Sequence, residues 1–111
     1  MLIEGGQLLV LSGHVPFDAQ GRVPEGLPAQ LEQVLRNLDA TLRAAGSDFH
    51  SVARLTIYVR DYAPAQLAEI RRVRDRWVSA ERPPASALIG VASLFHPDVL
   101  VEVDALAIVT R

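Results

Sequence analysis

The stretch VLVEVDALAIV, residues 99–109, decides the architecture. Val99, Val101, Val103, Ala105, Ala107 and Val109 fall on one side, and Leu100, Glu102, Asp104, Leu106 and Ile108 on the other. A period of two is the signature of a strand. The first side is wholly aliphatic and belongs against a core. The second sets two carboxylates among aliphatic side chains, where an acid of this type can move a proton at neutral pH. A second reading has Glu102 and Asp104 paired with Arg54 or Arg60, across the sheet or across a subunit boundary, as structural ion-pair networks do.

Working outward, VARLTIYVR (52–60) alternates in the same way, with Ala53, Leu55, Ile57 and Val59 opposed to Arg54, Thr56, Tyr58 and Arg60. LLVLS (8–12) reads as a strand ended by Gly13, and the turn-rich FDAQGRVPEG (17–26) follows it. From Pro28 onward, Leu31, Val34, Leu35, Leu38, Leu42 and Ala45 recur at helical spacing, with Pro28 suited to the first turn and Gly46 to the position just past the end. DYAP (61–64) breaks the second strand, and a second helix is expected from Pro64 to about Ala80, with Leu67, Ile70, Val73 and Trp77 inward. Pro83 and Pro84 close that helix. A strand from Ala87 to about Ser93 then joins the last one through LFHPD (94–98).

The order strand, helix, strand, helix, strand, strand predicts an α+β fold, two helices packed on one face of a mainly antiparallel sheet. The other face carries Leu100, Leu106 and Ile108, and no element of this chain is left to cover it. Burial by further copies of the chain is the expectation.

Composition narrows the chemistry. A chain of 111 residues, 50% hydrophobic, fits one domain over 1–111. All 11 basic residues are arginine, and with 13 acidic residues the formal charge is -2, so no footprint for a nucleic acid is present. Without cysteine or lysine, a thiol nucleophile, a cysteine-zinc site, a disulfide and a lysine Schiff base are all excluded. No signal-like segment and no membrane-length apolar run occurs, which leads us to expect a cytoplasmic protein with no membrane partner. His14, His50 and His96 show no ligand spacing, so no metal is expected. Ser12 and Gly13 in LSGH lack the flanking glycines of a nucleophile elbow, and Ser12 reads as a turn residue. In RRVRDR (71–76), Arg71 and Arg72 are spaced to pair with Asp75; the alternative is that Arg71 or Arg74 reaches a ligand anion.

Five stretches together resemble the RidA/YjgF family, the reactive intermediate deaminases also labelled endoribonuclease L-PSP. They are LLVLSGHVPFDAQGRVP (8–24), QLEQVLRNLDATLRAAG (30–46), VARLTIYVRD (52–61), RPPASALIGVASL (82–94) and LVEVDALAI (100–108). The resemblance implies a chorismate-mutase-like fold, a homotrimer, and small-molecule pockets at the subunit boundaries. It also implies hydrolysis of small enamines and imines to a keto acid and ammonia without a cofactor. In that pattern Glu102 is the water-activating glutamate, and Ser12 and Gly13 line the pocket.

Two positions depart from it. Deaminase members read P-A-R-S where this chain has Pro84, Ala85, Ser86 and Ala87, so Ser86 stands in place of the arginine that binds the substrate carboxylate, with Leu88 beside it. Arg71 aligns with a pocket asparagine of the second helix. The family's N-terminal strand, with its pocket aromatic, is expected to be shortened or absent. Loss of an arginine–carboxylate contact costs about 1.5–3 kcal/mol, which implies an altered substrate preference. Either Arg71 or Arg74 replaces the cation, or the substrate has no carboxylate there. A non-catalytic, ligand-binding or regulatory trimer is the alternative. The endoribonuclease reading ranks last, because an acidic, aromatic-poor chain offers no RNA groove.

Overall fold

The computed structural model describes residues 1–110. Strand β1 (Gln7–His14) leads to helix α1 (Leu27–Ala44), strand β2 (Val52–Arg60), helix α2 (Leu67–Asp75), strand β3 (Ala85–Val91) and strand β4 (Val101–Val109). Short 3-10 turns at Phe49–Ser51 and Pro64–Gln66 precede β2 and α2. The strands form one sheet in the order β1-β4-β2-β3. β4 runs antiparallel to both its neighbours, whereas β2 and β3 are parallel. A parallel pair needs a crossover, and α2 supplies it.

Helix α1 is the anchor of the core. Leu31, Val34, Leu35, Leu38 and Leu42 are each 0% exposed, and such a stripe at helical spacing contributes roughly 1.5–3 kcal/mol for each side chain removed from water. Pro28 sits in its first turn, as its fixed φ favours. At the other end Gly46 adopts φ 83, and the N–H groups of Gly46 and Ser47 donate to the carbonyls of Arg43 and Leu42 at 3.0 and 2.8 Å. That double bond is the Schellman closure, and its left-handed residue favours glycine. The inward residues of β4 complete the core beneath α1: Val101, Val103, Ala105, Ala107 and Val109 are all buried.

Several expected boundaries shift. The second helix does not reach Ala80. It begins after a 3-10 turn at Pro64 and ends at Asp75, where Arg76 and Trp77 donate back only three residues, to Val73 and Arg74. Trp77 then donates through Nε1 to Glu32 on α1 at 2.6 Å and lies beside Phe49. Burial pushes the Glu32 acid upward, but the hydrogen bonds from Trp77 and Arg76 outweigh it and hold the carboxyl below its ordinary value.

β3 starts at Ala85, directly after Pro84, and stops at Val91. A register shift occurs between Val52 and Arg54; Val52 joins the main core cluster, and Ala53 is buried as well. Leu100 precedes β4 and packs against the core instead of standing on the outer face; its N–H donates to buried Gln30 at 2.8 Å. The outer face nonetheless leaves aliphatic side chains in water, with Leu8 and Val10 63% and 68% exposed and Ile89 42% exposed.

Candidate functional site

Two places in the fold carry the residues singled out from sequence. The first is the meeting of β1 and β4. Leu11 pairs with Ala105 and His14 with Val103, so three steps along β1 face two along β4. The extra residue makes a bulge, a device that re-aims side chains. Ser12 and Gly13 sit in it. A Cβ on Gly13 would lie 2.7 Å from Cδ of Glu102 and closer still to its Oε2, so any larger residue would push that carboxylate from its place.

The bulge is pinned from α1. His14 donates through Nδ1 to the Ser12 carbonyl at 2.8 Å, and its Nε2 shares a hydrogen bond of 2.8 Å with the Thr41 hydroxyl, which also lies 3.2 Å from the Asn37 carbonyl. A carbonyl can only accept, so Nδ1 carries a proton. One turn earlier, Asn37 Nδ2 donates to the carbonyls of Val15 and Phe17 at 2.9 and 2.8 Å. The segment leaving β1 therefore cannot slide along the helix.

Glu102 projects from the outer face, half-buried and opposite Tyr58 of β2. Among the described residues its carboxylate has no hydrogen-bond or ion-pair partner. Asp104, one outward position further on, accepts from the Tyr58 hydroxyl at 3.0 Å. That hydrogen bond, burial, and the Asp104 and Glu102 charges push the Tyr58 phenol upward.

Within one chain the ion pairs weighed from sequence are not formed among the described residues. Arg60 donates to the Pro97 carbonyl, and neither Arg54 nor Arg60 meets Glu102 or Asp104. Arg54 stands opposite Leu106 and Arg60 lies beyond Val59, the partner of Val101, so neither is directly opposite a carboxylate, and the Pro97 carbonyl takes the Arg60 guanidinium. Likewise Asp75 is taken by Arg74 and not by Arg71 or Arg72.

The second place is the sheet edge. Ser86 pairs with Leu55 and Leu88 with Ile57 in the parallel ladder, so both share the core-facing side of the sheet. Leu88 packs against the core, while Ser86 is exposed at the C-terminal end of α2. There it lines a cavity of about 330 Å³ with Arg74, Ser79 and Pro84. Arg71 is exposed and does not line it. Within one chain, then, Ser12, Gly13 and Glu102 come together, and Ser86 and Leu88 do not join them: they lie on the other side of the sheet, two strands away.

Sequence reasoning missed three features. The Tyr58–Asp104 bond was hidden because it depends on cross-strand register. The Thr41–His14 link joins residues 27 apart. An aromatic group, with the Phe17 ring 5.5 Å from His96 and 6.1 Å from Phe95, spans the two long loops. Among the described residues, no group of three or more His, Asp or Glu side chains could hold a metal, and no helix is long and apolar enough to cross a membrane.

Two helices on one face of a four-stranded mixed sheet, with a glycine-backed carboxylate on the other, define the class. Residues 2–109 match the family described as Endoribonuclease L-PSP, and the chain belongs to that family, whose relatives carry the RidA, YjgF and RutC names. It is 35% identical to Protein DfrA of Myxococcus xanthus over 96% of this chain and 79% of that protein. It is 28% identical to the 2-iminobutanoate/2-iminopropanoate deaminase of Salmonella typhimurium, over 96% of this chain and 83% of that one. Among solved structures, RidA from the Antarctic bacterium Psychrobacter superposes with a TM-score of 0.85 at 29% identity, covering 96% of this chain and 85% of that one. YyfB of Yersinia pestis, of the Rid family, gives 0.83 at 35% identity over 94% and 80%.

Proposed function

We propose that the chain acts as one RidA/YjgF-like domain in a homotrimer that hydrolyses a small imine or enamine in pockets between copies. The observation that carries this is the position of Glu102. It is an uncommitted carboxylate, backed by Gly13, on a sheet face where Leu8, Val10 and Ile89 stay exposed. A lone chain leaves that face in water, and a contiguous apolar surface of this kind marks an association site. The edge half of the site, at Ser86, faces the other way, so one small molecule touches both halves only if a neighbouring copy brings its edge to Glu102.

The chemistry balances with water alone. Glu102 takes a proton from water as the oxygen attacks the imine carbon and the C=N electrons move to nitrogen. A C–O bond forms and a carbinolamine results. Glu102 returns that proton to the nitrogen, then takes the hydroxyl proton of the carbinolamine and passes it to the nitrogen as well while the C=O bond forms and the C–N bond breaks, so that ammonia leaves a ketone. Positioned acid–base groups of this sort contribute about 10²–10⁴ in rate. The deaminase name of the Salmonella relative supports this substrate class.

A second reading, a binding or regulatory trimer without turnover, is favoured by Ser86, whose hydroxyl cannot replace an arginine's charge.

The test supplies 2-iminobutanoate from a threonine dehydratase and follows ammonia release. Wild type should accelerate release, and Glu102→Gln should lose about a hundredfold or more of that acceleration. Equal rates in the two proteins would remove Glu102 from the mechanism, and no acceleration by either would favour the binding reading.

A further inference from the structure

The cavity at the end of α2 holds more donors than the fold uses. Arg74 reaches into it from the last turn of the helix, with a side chain only 27% exposed. Its Nε and Nη2 both donate to a single oxygen of Asp75, at 3.1 and 2.9 Å, and Nη1 has no partner among the described residues. Asp75 is 61% exposed, so this pair is a surface contact worth little and easily exchanged.

Ser79, 7% exposed, also lines the cavity; its Oγ accepts from the Arg82 N–H at 3.0 Å, which leaves its own proton to give. Ser86 adds a third donor, with no partner among the described residues. Opposite these, Val78, Pro83 and Pro84 form a wall without a single N–H to offer from the prolines. Three donors, one of them a guanidinium, beside a rigid apolar wall suit a small anion with a short alkyl group.

We propose that Arg74, with the Ser79 and Ser86 hydroxyls, is the anion-binding group of the edge half-site, and that it takes the carboxylate of a short 2-oxo or 2-imino acid. Arg74 leaves the exposed Asp75 and forks onto the ligand, so the absence of arginine at position 86 does not remove carboxylate recognition. This deepens the proposed hydrolysis and rests on it for the ligand's identity only.

Binding of 2-oxobutanoate, followed by titration calorimetry, reads this without any turnover. Arg74→Gln should weaken it about ten- to hundredfold, the loss expected for one charge-assisted fork. Arg74→Lys, which keeps the charge and guards against misfolding of the first variant, should lose less. Asp75→Asn should tighten it about two- to threefold by freeing the guanidinium. The uncharged 2-oxobutanamide should bind wild type and Arg74→Gln equally, an outcome that a merely structural role for Arg74 would not give. No binding by wild type, unchanged binding in Arg74→Gln, or a loss seen in Arg71→Gln instead would each overturn the assignment. Glu102→Gln keeps the two proposals apart: it should abolish turnover while leaving 2-oxobutanoate binding dependent on Arg74.

Discussion

The two sides of β4 lie on the same backbone and do opposite work. On the helix side Val101 and Val103 are 0% exposed and closed over by α1. On the other side Glu102 and Asp104 stand half-buried, one without a partner and one held by Tyr58. The first side is fixed by volume, since a packed aliphatic layer tolerates no polar atom. The second is fixed by what is left out: glycine at position 13 makes room for a carboxylate that meets no ion-pair partner among the described residues.

Breaking the second side should therefore cost function and spare the fold. The largest effect belongs to Glu102→Gln, through the loss of ammonia release described above, with little change in thermal stability. Gly13→Ala comes next. Its methyl group displaces the carboxylate without touching the core, and a misplacement of about 1 Å can cost up to a hundredfold, so a ten- to hundredfold fall in kcat at nearly unchanged Tm is expected. An unchanged kcat would show that the glycine serves only the bulge.

The smallest effect sharpens the contrast between the two acids. Because Tyr58 is raised by its bond to Asp104, the protonated phenol is favoured in the folded state. Stability from this link is whole below the unfolded value of about 10 and is lost as pH rises through the folded one. Ultraviolet titration of the phenol should show Tyr58 ionising later than an unperturbed tyrosine in wild type, and earlier in Asp104→Asn than in wild type. An identical titration in the two would deny the bond.

Periodicity made the fold legible. The stripe Leu31, Val34, Leu35, Leu38 and Leu42 on α1 and the alternation of β4 from Val101 onward are written in single residues, and the structure follows their spacing. The end of α2 was not legible, because Trp77 keeps the inward spacing of a helix while leaving it for Glu32 on α1, a tertiary contact that overrides the local pattern. The same limit hid the β2 register shift, which brings Val52 into the core cluster. At the candidate site, Gly13 and Glu102 were named from sequence and do meet. Ser86 and Leu88 were named with them but face the other side of the sheet, and only the ladder with β2 reveals that.

That separation is what the account stands on, and mixing two crippled proteins tests it most directly. Glu102→Gln disables the sheet-face half, and Ser86→Trp fills the edge half. Unfolded together in equal amounts and refolded, they should regain about a quarter of wild-type ammonia release, because in a closed ring one site in four draws both intact halves from different copies. Activity no greater than that of the separately refolded variants would mean that both halves act within one chain, and would contradict a site completed between copies.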